Sequence, residues 1–435
     1  MSCTKLHCLF RKLIHAGPIV NAIAFRYNKS IMNNKESNKS PSRNRILAAG
    51  LIMFLFTGTV YAWSILSVPL SDAFGWTSAQ LGLNFTITLA CFCLGSLVGS
   101  KLRVVLGAKL CVQIGGAACL LAFILCTQLN SNRLILLYFA YGVLFGFGAG
   151  FSYNVILYTV LTWFPEKHGV ASGILLMGFG VSTLLIGNLA NVLMHSHLGW
   201  RNTYLLLGIS TFVVFLIGSF FMRSAVPAQR EEAPTASTVG YTTVQMISTP
   251  AFWLFFLISI FATLIGSGVI GHTRSIVIEC GVATSFASIV VGLQSVCNGL
   301  GRMGIGMLYD RFGKTISLLF LTASYTVACV LMLVAFKLQS PVLAVIGVML
   351  IGVGYGGIPV LTAPIAIEEF GTNHYATNVA ILTLSLIPAS LSATIVGSLQ
   401  TATGIYVSAF VMFLGVCVLL YVLVFFFRKA AKTHS

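Results

Sequence analysis

Arg302 and Asn298 stand four residues apart in Asn298-Gly-Leu-Gly301-Arg302, which puts a guanidinium and a carboxamide one turn apart on one helix face. A guanidinium is planar, permanently charged and able to grip a carboxylate through two parallel hydrogen bonds. The stretch lies in an apolar run, about eight residues or ~12 Å of helix before Asp310, the next charged residue. A charge at such depth in a bilayer costs about 2.5–3.5 kcal/mol on insertion scales and is retained where it meets a partner or a solute. Two readings stand: Arg302 binds the carboxylate of a solute, with Asn298 adding a further hydrogen bond, or it caps backbone carbonyls or pairs with Asp310. Tyr61, Trp63, Tyr153, Asn154 and Tyr355 add aromatic and polar groups of the kind that line a cavity, although each could equally pack or anchor at an interface. His272, closing Val269-Ile-Gly271-His272, titrates in the range useful for proton coupling; an ordinary hydrogen-bonded helix-end histidine is its other reading.

The composition fixes what must carry these residues. Of 435 residues 57% are hydrophobic and 8% charged, against about 25% charged in a soluble domain, and the apolar residues fall into runs of about 20 or more. The expected fold class is all-α integral membrane, which excludes a soluble enzyme. No nucleophile with its base and no metal cluster can be assembled from the loops, and His195 and His197 lack further ligands, so neither enzymatic activity nor a metal or cofactor is expected. The formal charge of +16 does not point to nucleic acid, because nine of the 25 basic residues precede Ile46 and most others sit in short connections. The eleven cysteines are scattered through apolar runs and form no disulfide framework.

Apolar runs predict twelve spans, near 46–70, 79–100, 110–128, 134–163, 169–192, 202–222, 251–272, 284–308, 315–336, 341–366, 375–399 and 402–427. The expected organisation is a basic N-terminal segment (1–45), a six-helix half (46–222), a polar linker (223–250), a second six-helix half (251–427) and a tail (428–435). Residues 1–31 read as a targeting peptide, an amphipathic surface stretch or sequence upstream of a start at Met32; we adopt the last. With an even number of spans both ends share one face. That face carries 20 of the basic residues and the opposite one four (Arg133, Arg201, Arg274, Lys337), which predicts cytoplasmic termini in a plasma or inner membrane. Carboxylates are absent from the spans so drawn, and Glu368 and Glu369 read as surface or gate charges in a cytoplasmic loop. A shift of 206 residues aligns Gly75 with Gly281, Gly107 with Gly313, and Gly146, Gly148 and Gly150 with Gly352, Gly354 and Gly356, so the halves read as parallel repeats with a site between them. The Gly-x-Gly-x-Gly runs sit in apolar helices with no preceding strand and predict close helix packing, not phosphate binding.

Gly306-Met-Leu-Tyr-Asp310-Arg311-Phe-Gly313-Lys314 resembles the loop signature of the major facilitator superfamily, whose gating charges would here be Asp310, Arg311 and Lys314 around Gly313. The first-half equivalent keeps Lys101, Arg103, Gly107 and Lys109 but has Val104 in the Asp position, which weakens any gating pair there. Trp163-Phe-Pro165-Glu166-Lys167-His168-Gly169, Thr249-Pro250-Ala-Phe-Trp253, Ile270-Gly271-His272, the Arg302 stretch and Phe370-Gly-Thr-Asn-His374 resemble the oxalate:formate antiporter family, a relative of the monocarboxylate transporters, from about Ile46 onward. The resemblance implies a twelve-helix bundle, aromatics around the substrate and two cations holding a dicarboxylate. The second, a Lys of span eleven, is replaced by Leu386. One Arg balances one carboxylate, so the expectation is exchange of monocarboxylates such as formate, pyruvate or lactate by a monomer in the lipid bilayer. The alternatives are a proton-coupled monocarboxylate symporter and a non-transporting solute sensor.

Overall fold

A computed structural model describes residues 43–164, 168–223, 240–371 and 374–431. The expected start at Met32, most of the linker, residues 165–167 and the last four residues lie outside the described residues. All regular elements described are helical, apart from one isolated bridge between Gly240 and Gly371. Hydrocarbon offers no partner to a peptide group, and a helix satisfies each one within its own segment.

Among the described residues, ten helices are long and apolar enough to cross a membrane. We label them α1 (Arg43–Phe74), α2 and α3 (Ser78–Cys126), α4 (Leu134–Leu161), α5 (Ile174–Met194), α6 (Gly199–Ser219), α7 (Pro250–Glu279), α8 and α9 (Thr284–Leu338), α10 (Pro341–Phe370), α11 (Asn378–Thr403) and α12 (Val407–Ala430). Two labels share one helix twice for a reason. Ser78–Cys126 has 49 residues and Thr284–Leu338 has 55, about twice the requirement for one crossing. Each is broken by one non-helical glycine, Gly107 (φ 78°) and Gly313 (φ 74°), in a backbone region that glycine enters without a Cβ clash. Divided there, each supplies two spans, which makes twelve.

The repeat is present in the geometry as well as in the letters. Gly75 and Gly281 also share positive φ. A Cβ placed on Gly95 would lie 2.2 Å from the Phe147 carbonyl oxygen, and one on Gly301 would lie 2.3 Å from that of Val353. The same holds for Gly146 against Thr88 and Gly352 against Gln294, both at 2.5 Å, and for Gly150 against Phe92 (1.9 Å) and Gly356 against Asn298 (2.3 Å). Helices α2 and α4, and equally α8 and α10, therefore touch backbone to backbone, which only small residues permit. Gly150→Ala should destabilise the protein by about 1–3 kcal/mol through overpacking. Gly304→Ala, with nothing within 4 Å of the new carbon, should leave the thermal unfolding midpoint in detergent unchanged or slightly raised.

Three sequence expectations are corrected. Helix α7 does not stop at residue 272 but runs to Glu279, and Gly281 (φ 88°) ends the continuation. Arg274 consequently belongs to the helix and is buried, 6% exposed, instead of lying in a loop. Glu279 occupies the last turn of that helix, where its carboxylate accepts from the Tyr406 backbone N–H at 3.0 Å. Glu368 and Glu369 are likewise in the last turn of α10. Glu369 is 3% exposed and paired with Lys314, which also holds Glu368 at 2.9 Å, so these carboxylates are structural ties and not loop charges. In both helices the hydropathy run ends where the charges begin, while the backbone continues to the next glycine.

The apolar core divides by halves, with Ile270, Val291, Tyr355 and Ala393 of the second half packed into the core of the first. Contacts between halves cluster toward the face opposite the termini. On one seam Thr86 of α2 donates to the Ser390 carbonyl of α11 (2.6 Å), and Gly82 and Gly397 allow backbone contact with Ala393 and Ser78. On the other seam Asn188 of α5 donates to the Ser288 carbonyl of α8 (3.2 Å), and Gly180 meets the Ser295 carbonyl.

Candidate functional site

Helix α1 tightens into a 3-10 turn over Gly58–Ala62, which advances Tyr61 toward the middle of the bundle. Gly58 makes room, since a Cβ there would stand 2.3 Å from the Phe179 carbonyl oxygen of α5. The Tyr61 ring meets Phe179 edge-on (centroids 5.1 Å apart) and Tyr355 of α10 at 5.9 Å. Tyr153 of α4 packs within 5.5 Å of Phe54, Phe92 and Phe179. Tyr355 reaches the same place because Gly266 of α7 has no side chain to obstruct its ring.

Asn298 and Arg302 enter from α8, where Gly356 of α10 lets the two backbones close up behind them. The Arg302 guanidinium lies within electrostatic reach of Tyr153, Tyr61 and Tyr355. Tyr61 in turn neighbours Tyr355 and Asn298. Asn298 is 2% exposed and its Oδ1 has no hydrogen-bond partner. Among the described residues no carboxylate lies within 4.0 Å of Arg302, since the ion pairs present are those of Lys314. The structure thus gathers five sequence-selected residues, Arg302, Asn298, Tyr61, Tyr153 and Tyr355, from both halves. The set offers one fixed positive charge, three phenols and one unoccupied amide oxygen, an arrangement suited to a small anion with a single charge.

The remaining sequence candidates lie elsewhere. Trp63 is fully buried, its indole N–H donating to the Leu81 carbonyl (3.0 Å) and its ring packed on Tyr141 at 4.6 Å. Asn154 donates to Ser96 Oγ (3.1 Å), tying α4 to α2 within the first half. His272 bridges helices: Nε2 lies 2.8 Å from the Ala393 carbonyl oxygen of α11 and Nδ1 3.4 Å from the Tyr406 hydroxyl. A carbonyl only accepts, so the ring proton is on Nε2 and Nδ1 takes the tyrosine O–H. Asp310 and Arg311 are exposed in the last turn of α8, Arg311 beside the Phe312 ring, while Gly313 breaks the helix and turns Lys314 toward Glu368 and Glu369. Phe179, central to the ring cluster, escaped sequence reasoning because nothing distinguishes it among 32 phenylalanines.

The Major Facilitator Superfamily pattern matches residues 47–390. An uncharacterized MFS-type transporter of Escherichia coli, YhjX, is 25% identical over 355 residues, 80% of this chain and 86% of its own length. The oxalate:formate antiporter of Oxalobacter formigenes is 25% identical over 301 residues, 66% of this chain and 70% of its own. Among solved structures, a bacterial homologue of the human lysosomal transporter Spinster, inward-facing and unoccupied, superimposes with a TM-score of 0.67 at 18% identity, covering 92% of this chain and 100% of that one.

Proposed function

Since this chain belongs to the major facilitator superfamily, we propose that it is a transporter that exchanges small monocarboxylates, of the formate, pyruvate and lactate type, by alternating access. The observation that carries this reading is Arg302: a cation deep in the bundle, without a carboxylate within 4.0 Å among the described residues, facing three tyrosines and an unpaired amide oxygen. The solute supplies the missing anion. Arg302 binds its carboxylate, Tyr153 and Tyr61 hydrogen-bond around it, and Asn298 Oδ1 takes a donor.

Charge balance sets the preference within carboxylates. Leu386 stands where the related family has a second cation, so a dianion would bury one uncompensated charge, which costs several kcal/mol. An empty site leaves the guanidinium unpaired as the halves rock, and that penalty favours return with cargo, hence exchange. The basic residues concentrated on the face of the termini support cytoplasmic ends in a plasma or inner membrane. His272 gives proton coupling no support, since both its ring nitrogens have partners.

The test is counterflow of labelled formate, pyruvate, lactate and oxalate into proteoliposomes preloaded with the same unlabelled acid. At least one monocarboxylate should accumulate transiently, and oxalate should compete at least about tenfold more weakly. Failure of every carboxylate to exchange would sink the reading and direct the search to neutral solutes or a sensor.

A further inference from the structure

Arg274 differs from the other three basic residues expected on the face opposite the termini. Arg201 is bound to the Thr127 and Leu129 carbonyls and stacked on Trp200, Arg133 reaches the Gln128 carbonyl, and Lys337 is exposed. Arg274 is 6% exposed, and its one hydrogen bond runs from Nε to Ser288 Oγ at a long 3.3 Å. No carboxylate lies within 4.0 Å of it among the described residues. The nearest acidic influence is Asp72, an exposed residue near the end of α1 and so part of the opposite half. Ser288 sits in the seam itself, its carbonyl held by Asn188 of α5. A charged group this buried ordinarily has a full set of partners; this one has a serine hydroxyl and a distant carboxylate.

A polar line leads from this point to the central site. Ser288, Ser295, Asn298 and Arg302 recur on one face of α8, and Ser288 is 14 residues from Arg302, about 21 Å of helix. Asn298 Oδ1, on the side of α8 that neighbours Tyr61 of the first half, is buried without a hydrogen-bond partner. Such an atom destabilises a permanently closed interface by about 1–3 kcal/mol, and is satisfied when the seam opens to water and solute. Opening at this end carries Asp72 away with the first half and leaves Arg274 on the second, facing the gap.

We propose that Arg274 is a second anion station. When the face opposite the termini is open, its guanidinium receives the carboxylate of the incoming solute in place of Asp72, at the head of the polar line that ends at Arg302. This deepens the carboxylate reading and rests on it.

The full chain, reconstituted in proteoliposomes with its sidedness assigned by impermeant labelling, would be assayed for counterflow of labelled formate, pyruvate and lactate from each face, and the variants compared on whichever of them the wild type exchanges. Arg274→Gln should raise the half-saturating concentration on the face opposite the termini about five- to tenfold and leave the other face within about twofold. Arg274→Lys, which keeps the charge, should recover most of the loss and show that the fold is intact. An unchanged value for Arg274→Gln overturns the station. So does a matching loss in Asp72→Asn, which would make the two residues a latch. The reading of the central site fails separately: wild type then moves none of formate, pyruvate and lactate from either face, or Arg302→Gln moves the exchanged solute undiminished, and the station falls with it.

Discussion

Replacing Arg302 with Gln is expected to lower the kcat/KM of monocarboxylate counterflow at least about 100-fold from both faces. Two charge-assisted hydrogen bonds to a carboxylate contribute about 1.5–3 kcal/mol each, and about 1.4 kcal/mol corresponds to a factor of ten. Gln keeps some hydrogen-bonding capacity while losing the charge, the fork and part of the reach. Arg302→Lys keeps the charge as a point and should still lose about tenfold, because its ammonium cannot form the two parallel bonds. Neither variant should unfold more readily than the parent, since each removes or shrinks a half-buried cation with no carboxylate within 4.0 Å among the described residues. The comparison is therefore between initial exchange rates at equal incorporation, with thermal unfolding as the control. Wild-type rates in the Gln variant would dismiss Arg302 from the site.

Lys314→Ala should have the largest effect on stability, about 3–5 kcal/mol, because it removes the cation paired with Glu369, which is 3% exposed in the last turn of α10. The effect belongs mainly to Glu369. Glu368, with a side chain 31% exposed, is solvated well enough that its share is small. Tyr309, which donates to Glu368 at 2.5 Å, keeps that carboxylate engaged from α8. The diagnostic experiment is the double replacement Lys314→Met with Glu369→Leu. Removing both charges should restore most of the unfolding midpoint, as buried pairs exchanged for apolar residues commonly do. A double variant as unstable as Lys314→Ala would show that packing, and not the broken charge pair, explains the loss.

The frame of this protein was legible because hydrocarbon imposes it. A span must be apolar for about 20 residues, and Gly107 and Gly313 announce their turns through a repeat visible in the letters. Arg302 was legible for the same reason, since a charge in an apolar run stands out. Arg274 and Glu369 were misjudged by that very criterion: hydropathy placed a boundary at each cluster of charge, while the helices continued to Gly281 and Gly371. The aromatic candidates were separable only in three dimensions. Tyr61 and Trp63 are two residues apart, yet the tight turn of α1 sends one toward Arg302 and the other to the Leu81 carbonyl. Nothing in their identity distinguishes the two.

The two halves are copies in backbone and unlike in charge. At the position of Arg302 the first half has Ser96, at that of Asn298 it has Phe92, and at that of Tyr355 it has Ala149. The glycines that let α2 meet α4 recur between α8 and α10, so both halves rest on the same close backbone contacts. A molecule assembled from two first halves would inherit every such contact and lack the guanidinium proposed to bind cargo. On that reading a change of cargo needs only a few side chains facing the centre, with the repeated scaffold left as it is.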